Sequence, residues 1–170
     1  MKRFHKRRGT ARATAAVCAA LLLSGAGTGG EIPRQHALLG EWQFDPAASR
    51  FDGGIPYTRA TSRFRATAAC IQVVVEIVEG NDRHIRFEYC DRGDGSDAAV
   101  KGNPFYEAES TLWPTPRIAV RSEKRGGIVT GTTTMTVAAD GKFYTATASR
   151  KRPDGIQYNS TIVWRRVGPR

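Results

Sequence analysis

The sequence predicts an all-β fold, an antiparallel up-and-down β-barrel of about eight or nine strands over residues 38–167. Three observations favour this fold. Short runs rich in Val, Ile, Thr and aromatic residues follow one another, and turn dipeptides such as Asp140-Gly141 separate them. No window keeps a 3.6-residue apolar period over three turns, as an amphipathic helix would. The links between the runs are too short for parallel crossovers, so neighbouring strands are expected to be antiparallel.

The first residues of the chain have the composition of a secretory signal peptide, which is expected to be helical. Residues 1–12 are basic, residues 13–23 are apolar, and residues 24–30 are small. This order of regions is typical of a signal peptide, and the apolar run is shorter than the ~20 residues that a transmembrane helix needs. We therefore predict a cleaved signal peptide at 1–26, a flexible lead-in at 27–37, and a periplasmic or extracellular location. The alternative is a surface helix of a cytosolic protein.

The net charge of +10 comes mostly from the leader. The chain has 26 Lys and Arg against 16 Asp and Glu, and six of the basic residues lie in the first twelve positions. The remaining ones are scattered among predicted strands and turns, whereas nucleic-acid binding favours a basic face. The sequence therefore predicts no nucleic-acid partner. The clusters Arg150-Lys151-Arg152 and Arg165-Arg166 are expected to be a solvated strand edge or, alternatively, to face an anionic surface.

From residue 80 onward, turn signals that contain Gly, Pro, Asn or Asp separate the predicted strands. The strands are expected at 39–44, 60–68, 70–78, 83–90, 105–112, 117–124, 128–138, 142–151 and 156–166.

Apolar and polar residues alternate along segment 70–90, and this alternation defines the register of a predicted hairpin. A three-residue loop at 79–81 places the apolar residues of both strands on one face, and a slip by one residue would separate them. The predicted inward pairs are Ile71–Tyr89, Val73–Phe87 and Val75–Ile85, and the outward pairs include Glu76–His84. The same register places Cys70 directly opposite Cys90. Two facing thiols in an exported domain predict a disulfide.

The last three strands are joined by two turn signals, Asp140-Gly141 and Pro153-Asp154-Gly155. A two-residue turn at the first and a type I turn at the second set the register. The predicted pairs are Val137–Tyr144, Met135–Ala146, Thr133–Ala148, Tyr144–Trp164 and Ala146–Ile162. A three-residue loop at Asp140-Gly141 would turn these side chains to the other face, so the choice between the two loops stays open.

The segment at 40–51, Gly-Glu-Trp-Gln-Phe-Asp-Pro-Ala-Ala-Ser-Arg-Phe, resembles the opening of the bacterial secreted lipocalin-like proteins. That family begins with a G-x-W strand and an N/D-P-A-x-S-x-F segment. Segments 100–104, 137–142 and 156–164 are similar to it in order and spacing, so the resemblance covers roughly residues 38–167. It implies a lipocalin-like calyx in which Trp42 plugs one end, but it implies no ligand. The Cys70/Cys90 pair and the segment Trp113-Pro-Thr-Pro116 depart from the family's pattern.

The sequence carries no catalytic constellation. A nucleophile needs a base within hydrogen-bond reach, but His36 falls in the lead-in and His84 is expected to form a surface pair with Glu76. A zinc site needs three or four Cys or His ligands, and the two cysteines of the domain are assigned to a disulfide. The acidic run at 91–97 lacks the frame of an EF-hand and is predicted to be a solvated turn. We predict no enzyme activity, no metal and no cofactor.

The predicted function is therefore binding. We expect a monomeric exported barrel that holds one small apolar or amphipathic molecule. The candidate ligand-binding residues are Val73, Val75, Phe87, Tyr89, Thr133, Met135, Tyr144 and Trp164. An eight-stranded barrel is about wide enough for one small ligand or for a packed core. The alternative is an envelope protein-interaction or inhibitor domain whose barrel is filled by its own side chains.

Overall fold

The computed structural model describes residues 35–151 and 154–168. The predicted signal peptide at 1–26 and the first part of the predicted lead-in lie outside the described residues. Within the two described ranges, no helix is long and apolar enough to cross a membrane.

The described residues form a near-closed antiparallel up-and-down barrel of ten strands. The strands are β1 (Gly40–Phe51), β2 (Tyr57–Ala66), β3 (Ile71–Glu79), β4 (His84–Asp91), β5 (Asp94–Ala99), β6 (Ala108–Thr115), β7 (Ile118–Arg125), β8 (Ile128–Val137), β9 (Phe143–Lys151) and β10 (Gln157–Arg166). Their order in the sheet is β4-β3-β2-β1-β10-β9-β8-β7-β6-β5. The predicted all-β antiparallel class is confirmed, with one or two strands more than predicted.

The additional strand, β5, lies in the acidic run that was predicted to be a solvated turn. That prediction is wrong, because Asp97 and Ala99 pair with Ser110 and Ala108 of β6. None of the β5 side chains is buried. The strand therefore lacks the alternation of apolar and polar residues by which a half-buried strand is detected.

The barrel is closed between β4 and β5 by the chain that follows β5. The backbone groups of Glu88 and Lys101 donate to and accept from each other at 3.0 and 2.9 Å. Gly102 has φ of +85°, and a Cβ there would overlap the carbonyl oxygen of Arg86. Glycine is therefore required where this segment packs against β4.

One end of the barrel is covered by the residues before β1, and we call it the closed end. The backbone N–H of Ala37 donates to the carbonyl of Pro116 at 2.8 Å, although β10, β9 and β8 separate β1 from β7 in the sheet. The segment therefore crosses the barrel. Trp42 is fully buried beneath it and donates its indole N–H to the carbonyl of Leu38 at 2.8 Å. The opposite end carries the loops that join β1 to β2, β3 to β4, β5 to β6, β7 to β8 and β9 to β10, and we call it the loop end.

The register of the β3–β4 hairpin differs from the predicted one by two residues. Val73 pairs with Tyr89 and Val75 with Phe87, so the predicted pairs of this hairpin are wrong. The cause is a longer turn, in which Glu79 N–H donates to the carbonyl of Arg83 at 3.0 Å. A shift of two keeps every side chain on its predicted face.

The two-residue shift also changes the outward pairs of this hairpin. Glu76 lies opposite Arg86 rather than His84, and the carboxylate of Glu76 forms an ion pair with Arg86 at 3.4 Å. The predicted Glu76–His84 pair is therefore wrong.

The disulfide between Cys70 and Cys90 is confirmed, with the two Cα atoms 5.5 Å apart. The predicted reason for it is wrong, because Cys90 lies opposite Gln72 in the ladder. Cys70 precedes β3 in a turn where the Thr67 hydroxyl accepts from its backbone N–H at 3.1 Å. This turn allows Cys70 to leave the line of the strand and reach Cys90.

The register predicted for the last three strands is confirmed. Val137, Met135 and Thr133 lie opposite Tyr144, Ala146 and Ala148, while Tyr144 and Ala146 lie opposite Trp164 and Ile162. The turn itself is longer than predicted, because the backbone N–H of Gly141 donates to the carbonyl of Ala138 at 3.0 Å and that of Ala138 donates to the carbonyl of Phe143 at 2.9 Å. The register is nevertheless the predicted one, and these side chains face the barrel interior.

Candidate ligand-binding site

All eight predicted ligand-binding residues lie in the barrel interior. Their exposed fractions range from 0% for Val73 to 7% for Val75. Val73, Val75, Phe87 and Tyr89 come from the adjacent strands β3 and β4, and the other four come from β8, β9 and β10. They therefore line two stretches of the barrel wall rather than one continuous patch.

Aromatic side chains pack against one another in the half of the interior nearer the closed end. Tyr144 is stacked on Trp164 with ring centroids 5.6 Å apart, and its ring meets Trp42 edge-on at 4.8 Å. Its hydroxyl lies 3.0 Å from that of Ser62 on β2. This half of the interior is apolar and offers large ring surfaces.

A set of charged side chains lies in the half of the interior nearer the loop end. We call Glu109, Arg121, Glu123 and Arg150 the inner polar cluster. Arg150 makes two hydrogen bonds to Glu123, from Nε to Oε2 and from Nη2 to Oε1, both at 2.7 Å. Such a bidentate pair is among the stronger charge-assisted interactions. Arg150 was predicted to belong to a solvated edge, and its position in the interior corrects that prediction.

Gly131 on β8 leaves room for this ion pair. A Cβ at Gly131 would lie 2.7 Å from Oε2 of Glu123 and 2.9 Å from Cγ of Arg150. Glycine inside a strand often marks a place where another group approaches closely. The backbone of β8 is therefore shaped to accommodate Glu123 and Arg150.

Arg121 connects the ion pair to the rest of the interior. Its Nη2 donates to Oε1 of Glu123 at 3.1 Å, and its Nη1 donates to the hydroxyl of Tyr89 at 3.3 Å. Nη1 also lies 3.7 Å from Oε2 of Glu109. The Thr133 hydroxyl donates to Oε1 of Glu123 at 3.3 Å. Two of the predicted ligand-binding residues, Tyr89 and Thr133, thus contact the inner polar cluster.

Glu109 is the one acid of the inner polar cluster that accepts no hydrogen bond from a guanidinium. It is fully buried, and among the described residues neither its carboxylate oxygens nor Nε of Arg121 has a partner in hydrogen-bond geometry, although the Tyr89 hydroxyl acts to lower the pKa of Glu109. Burial raises the pKa of Glu109 to about 8, although the Arg121 guanidinium partly opposes this effect. Glu109 is therefore largely neutral at pH 7.

Glu123 has the opposite electrostatic balance. Burial acts to raise its pKa, but the guanidiniums of Arg150 and Arg121 outweigh burial and lower the pKa to about 2. Glu123 is therefore ionised at any pH at which the protein is expected to work, and its one negative charge offsets one of the two guanidinium charges.

The cluster on β7 was missed because the larger apolar residue Val120 faces outward, while Arg121 and Glu123 face the interior. Val120 is 37% exposed, whereas Ala119, Arg121 and Glu123 are buried. A regular hairpin through Gly126-Gly127 would pair Val120 with Thr133. The pairing instead slips by one residue between Glu123 and Lys124, which exchanges the two faces of β7. Arg121 and Glu123 could have been assigned to the interior from the inward face predicted for β8, if a bulge had been assumed in the β7–β8 hairpin.

A separate cleft of about 680 Å³ lies over β1–β4, where the β1–β2 ladder ends. Its lining residues with exposed side chains are Gln43, Pro46, Thr58, Arg59, Thr61, Glu76, His84 and Arg86. None of the predicted ligand-binding residues lines this cleft. Four buried core residues do line it, namely Phe44, Ala60, Ile77 and Ile85, so the floor of the cleft is part of the core.

The acidic run at 91–97 also contains a buried carboxylate, at the last residue of β4. Asp91 is buried, and it accepts hydrogen bonds from the indole N–H of Trp113 at 3.1 Å and from the backbone N–H of Gly93 at 2.7 Å. These contacts explain why an acid occupies the end of β4. In the described ranges, no three or more His, Cys, Asp or Glu side chains are grouped to hold a metal ion.

Comparisons with known proteins identify no family. No family model matches the sequence, and no curated protein matches it. Among solved structures, the chain is similar to zebrafish ileal bile acid-binding protein complexed with cholic acid, with 12% sequence identity and a TM-score of 0.48; the similarity covers 77% of this chain and 99% of that chain. The resemblance to bacterial secreted lipocalin-like proteins remains a prediction from the sequence.

Proposed function

We propose that this protein is a binding barrel that holds one small amphipathic molecule in its interior and performs no catalysis. The observation that supports this proposal is the pair of unsatisfied groups in the inner polar cluster, the carboxyl of Glu109 and Nε of Arg121. Each buried polar group without a partner costs about 1–3 kcal/mol. Neither group is accessible in this structure, so the interior would have to open for a molecule to reach them, and hydrogen bonds to that molecule would offset this cost.

The distribution of side chains supports an amphipathic ligand over a wholly apolar one. The interior nearer the closed end is aromatic, and the interior nearer the loop end contains charged groups. Few, well-placed polar groups in an otherwise apolar lining are typical of small-molecule sites. The ligand would enter through the loop end, since residues before β1 cover the other. Exposed apolar side chains surround the loop end: Ile55, Phe105, Ile128 and Ile156.

A titration with N-phenyl-1-naphthylamine, a neutral apolar fluorescent probe, tests the proposal. Saturable binding at one molecule per chain is expected. Ala146, a small inward residue, provides the test variant: Ala146→Trp should abolish probe binding by filling the interior. Thr147→Trp is the matched control, because Thr147 is the next residue and points outward, so probe binding should persist. Binding that survives Ala146→Trp in a folded variant would contradict an interior site.

Native mass spectrometry of protein purified from its own host would identify the ligand directly. A bound mass released by organic extraction is expected. The same preparation tests the predicted export and the predicted oligomeric state. The disulfide supports the export, because such bonds persist in oxidising compartments. We expect a monomer whose intact mass lacks Met1 and the signal peptide; retention of Met1 in exported material would contradict the cleavage.

The second candidate is a filled barrel that acts through its surface. The observation that favours it is the outer cleft of about 680 Å³, together with the tight aromatic packing around Tyr144. Under this hypothesis the probe would not bind the wild-type interior. Thr61→Trp, which would fill the cleft, would then reduce the recovery of a protein partner, whereas Ala146→Trp would leave that recovery unchanged.

A further inference from the structure

We infer that the outer cleft over β1–β4 is a second binding site, for a small amphipathic molecule with one anionic group. The site lies outside the barrel interior, so the inference goes beyond the proposed function and does not depend on it. The volume of the cleft, about 680 Å³, falls within the range of about 300–1,000 Å³ that is typical of small-molecule sites. Arg59 and His84 are the side chains that would bind the anionic group.

The cleft forms where β1 and β2 separate. Their ladder ends at the pair Gln43–Thr61, and the pairing of β1 with β10 is irregular between Asp45 and Arg50. β2 continues along β3 as far as Tyr57, so among the described residues the loop-end part of β2 is paired with β3 but not with β1. This opening between the two strands gives a ligand room without rearrangement of the core.

Arg59 and His84 face outward on either side of Val78. Val78 pairs with Arg59 of β2 and with His84 of β4, so the three residues form one row across the sheet. The spacing of neighbouring strands places the backbones of Arg59 and His84 about 10 Å from each other. Both side chains are exposed, and neither forms a hydrogen bond or an ion pair with another described residue. A small group that lies over Val78 would therefore be within reach of both side chains.

The other charged residues of the cleft are already paired with each other. Arg86 lies 3.4 Å from Glu76, which also lines the cleft, and 3.1 Å from Glu88, which does not. Glu76 is the only acid among the described residues that line the cleft. A cationic ligand would have to compete with Arg86 for this carboxylate, whereas an anionic ligand meets the unpaired guanidinium of Arg59 without breaking an ion pair.

The unpaired polar groups of this row are hydrogen-bond donors, and they require an acceptor. The guanidinium of Arg59 carries only donors, and the imidazole of His84 still donates from one ring nitrogen when it is neutral. The oxygens of a carboxylate or a phosphate can accept from both, and such charge-assisted hydrogen bonds are stronger than neutral ones. The apolar part of the ligand would lie on the floor of the cleft, which includes Phe44, Ile77 and Ile85.

Titration with 1-anilinonaphthalene-8-sulfonate, the anionic counterpart of N-phenyl-1-naphthylamine, tests the location of the site. Thr61→Trp, which would fill the cleft, should remove one site for this sulfonate probe per chain. Thr147→Trp is the matched control, because Thr147 is also exposed but lies on β9 and does not line the cleft, so the number of sites should not change. An unchanged number of sites in Thr61→Trp would overturn the inference.

Arg59→Gln tests the position of the anionic group. The affinity of the cleft for the sulfonate probe should fall about tenfold, because a hydrogen bond to a charged group is lost. Arg63→Gln is the matched control, since Arg63 is the next outward residue of β2, does not line the cleft and is paired with Glu41 at 2.7 Å. Its affinity should change by less than about threefold. Equal affinities of the two variants would show that the anionic group does not bind Arg59.

Displacement of the sulfonate probe by ligands with the same alkyl chain tests the chemical class. Decanoate and decyl phosphate should displace the probe at concentrations about tenfold lower than 1-decanol, which carries no charge. The more effective of the two anions identifies the preferred group, and the advantage over decanol should be lost in Arg59→Gln. Equal displacement by decanol, or an advantage that survives in Arg59→Gln, would overturn the inference.

The outcomes separate this inference from the proposed function. Binding of the neutral N-phenyl-1-naphthylamine in the interior should persist in Thr61→Trp, because Thr61 is exposed on the outer face. If the neutral probe does not bind the wild type but the cleft binds the sulfonate probe, the proposed function fails and the inference stands. Recovery of a protein partner that depends on Thr61, without a probe site in the cleft, would show that the cleft binds a protein and would overturn the inference.

Discussion

Glu109 and Glu123 lie directly opposite each other on β6 and β7, and their pKa values are shifted in opposite directions. Both guanidiniums of the inner polar cluster hydrogen-bond to Glu123 and neither hydrogen-bonds to Glu109. Two like charges in neighbouring cross-strand positions are destabilising. The structure avoids this repulsion by stabilising one ionised acid and keeping the other largely neutral.

The raised pKa of Glu109 predicts that the protein loses stability as the pH rises. The pKa is 4.5 in the ordinary case and about 8 in the folded chain. Between these values the folded state binds more protons than the unfolded state, so the free energy of unfolding falls from about pH 5 to about pH 8. A tenfold change in the proton affinity of a carboxyl corresponds to about 1.4 kcal/mol, so the total loss is of the order of a few kcal/mol.

Urea denaturation of the wild type and of Glu109→Gln at pH 5, 6.5 and 8 measures this contribution. The difference between the two proteins removes the effects of the other titrating groups, His36 among them. The variant should gain stability relative to the wild type as the pH rises. An unchanged difference across the three pH values would show that Glu109 is ionised in the folded protein.

The ion pair between Glu123 and Arg150 is predicted to be necessary for the fold. Arg150→Met leaves the buried Glu123 carboxylate with Arg121 as its remaining cationic partner, and breaking a buried pair in this way costs about 3–5 kcal/mol. Lys151→Met is the control, because Lys151 is exposed and its replacement should change stability by about 0.5 kcal/mol or less. Equal midpoints of urea denaturation for the two variants would contradict the role given to the pair.

The inner polar cluster was not predicted from the sequence, because apolar alternation marks the inward face of some strands but not of β7. In β8, β9 and β10, apolar residues alternate regularly and tight turns fix the pairing, so Met135, Tyr144 and Trp164 could be placed correctly. In β7 the apolar residue Val120 faces outward, and a one-residue slip in the hairpin puts Arg121 inside. Alternation alone identifies the inward face only where the inward residues are apolar.

The register of the β3–β4 hairpin is a second feature that the sequence did not predict correctly. Its faces were predicted correctly but its register was wrong by two residues, because an alternating pattern is unchanged by such a shift. The turn between Glu79 and Arg83 determines the register, and its length was not apparent from Gly80-Asn81-Asp82. The disulfide was nevertheless found, since a turn before β3 brings Cys70 to Cys90.

Arg166 is predicted to stabilise the closed end. Its guanidinium lies 3.9 Å from the centroid of the Trp42 ring and donates to the carbonyls of Gly141, Leu39 and Ala37 at 2.8, 2.7 and 2.6 Å. Arg166→Met should lower the free energy of unfolding by about 3 kcal/mol, since the hydrogen bonds and the cation–π contact are lost together.

Arg165→Met is the matched control for the closed end. Arg165 is the neighbouring residue, its side chain is 61% exposed, and it forms an ion pair with Asp45. Exposed pairs contribute about 0–1 kcal/mol. A loss of stability in Arg165→Met as large as that in Arg166→Met, measured by thermal unfolding, would mean that general loss of charge explains both effects.

The disulfide is predicted to stabilise the hairpin without being required for folding. The two cysteines are 20 positions apart, and closing a loop of that size contributes about 3 kcal/mol in the chain-entropy picture. The gain should be smaller here, because the β3–β4 ladder already holds the two strands together. Reduction of the purified protein should therefore lower the melting temperature by a few degrees while the β-sheet circular dichroism spectrum persists.

The double variant Cys70→Ala/Cys90→Ala should show the same shift and no further response to reductant. Free-thiol titration of unreduced protein should find neither cysteine reactive, although Cys90 is exposed. Loss of the β-sheet spectrum on reduction would show that the ladder between β3 and β4 depends on the covalent bond.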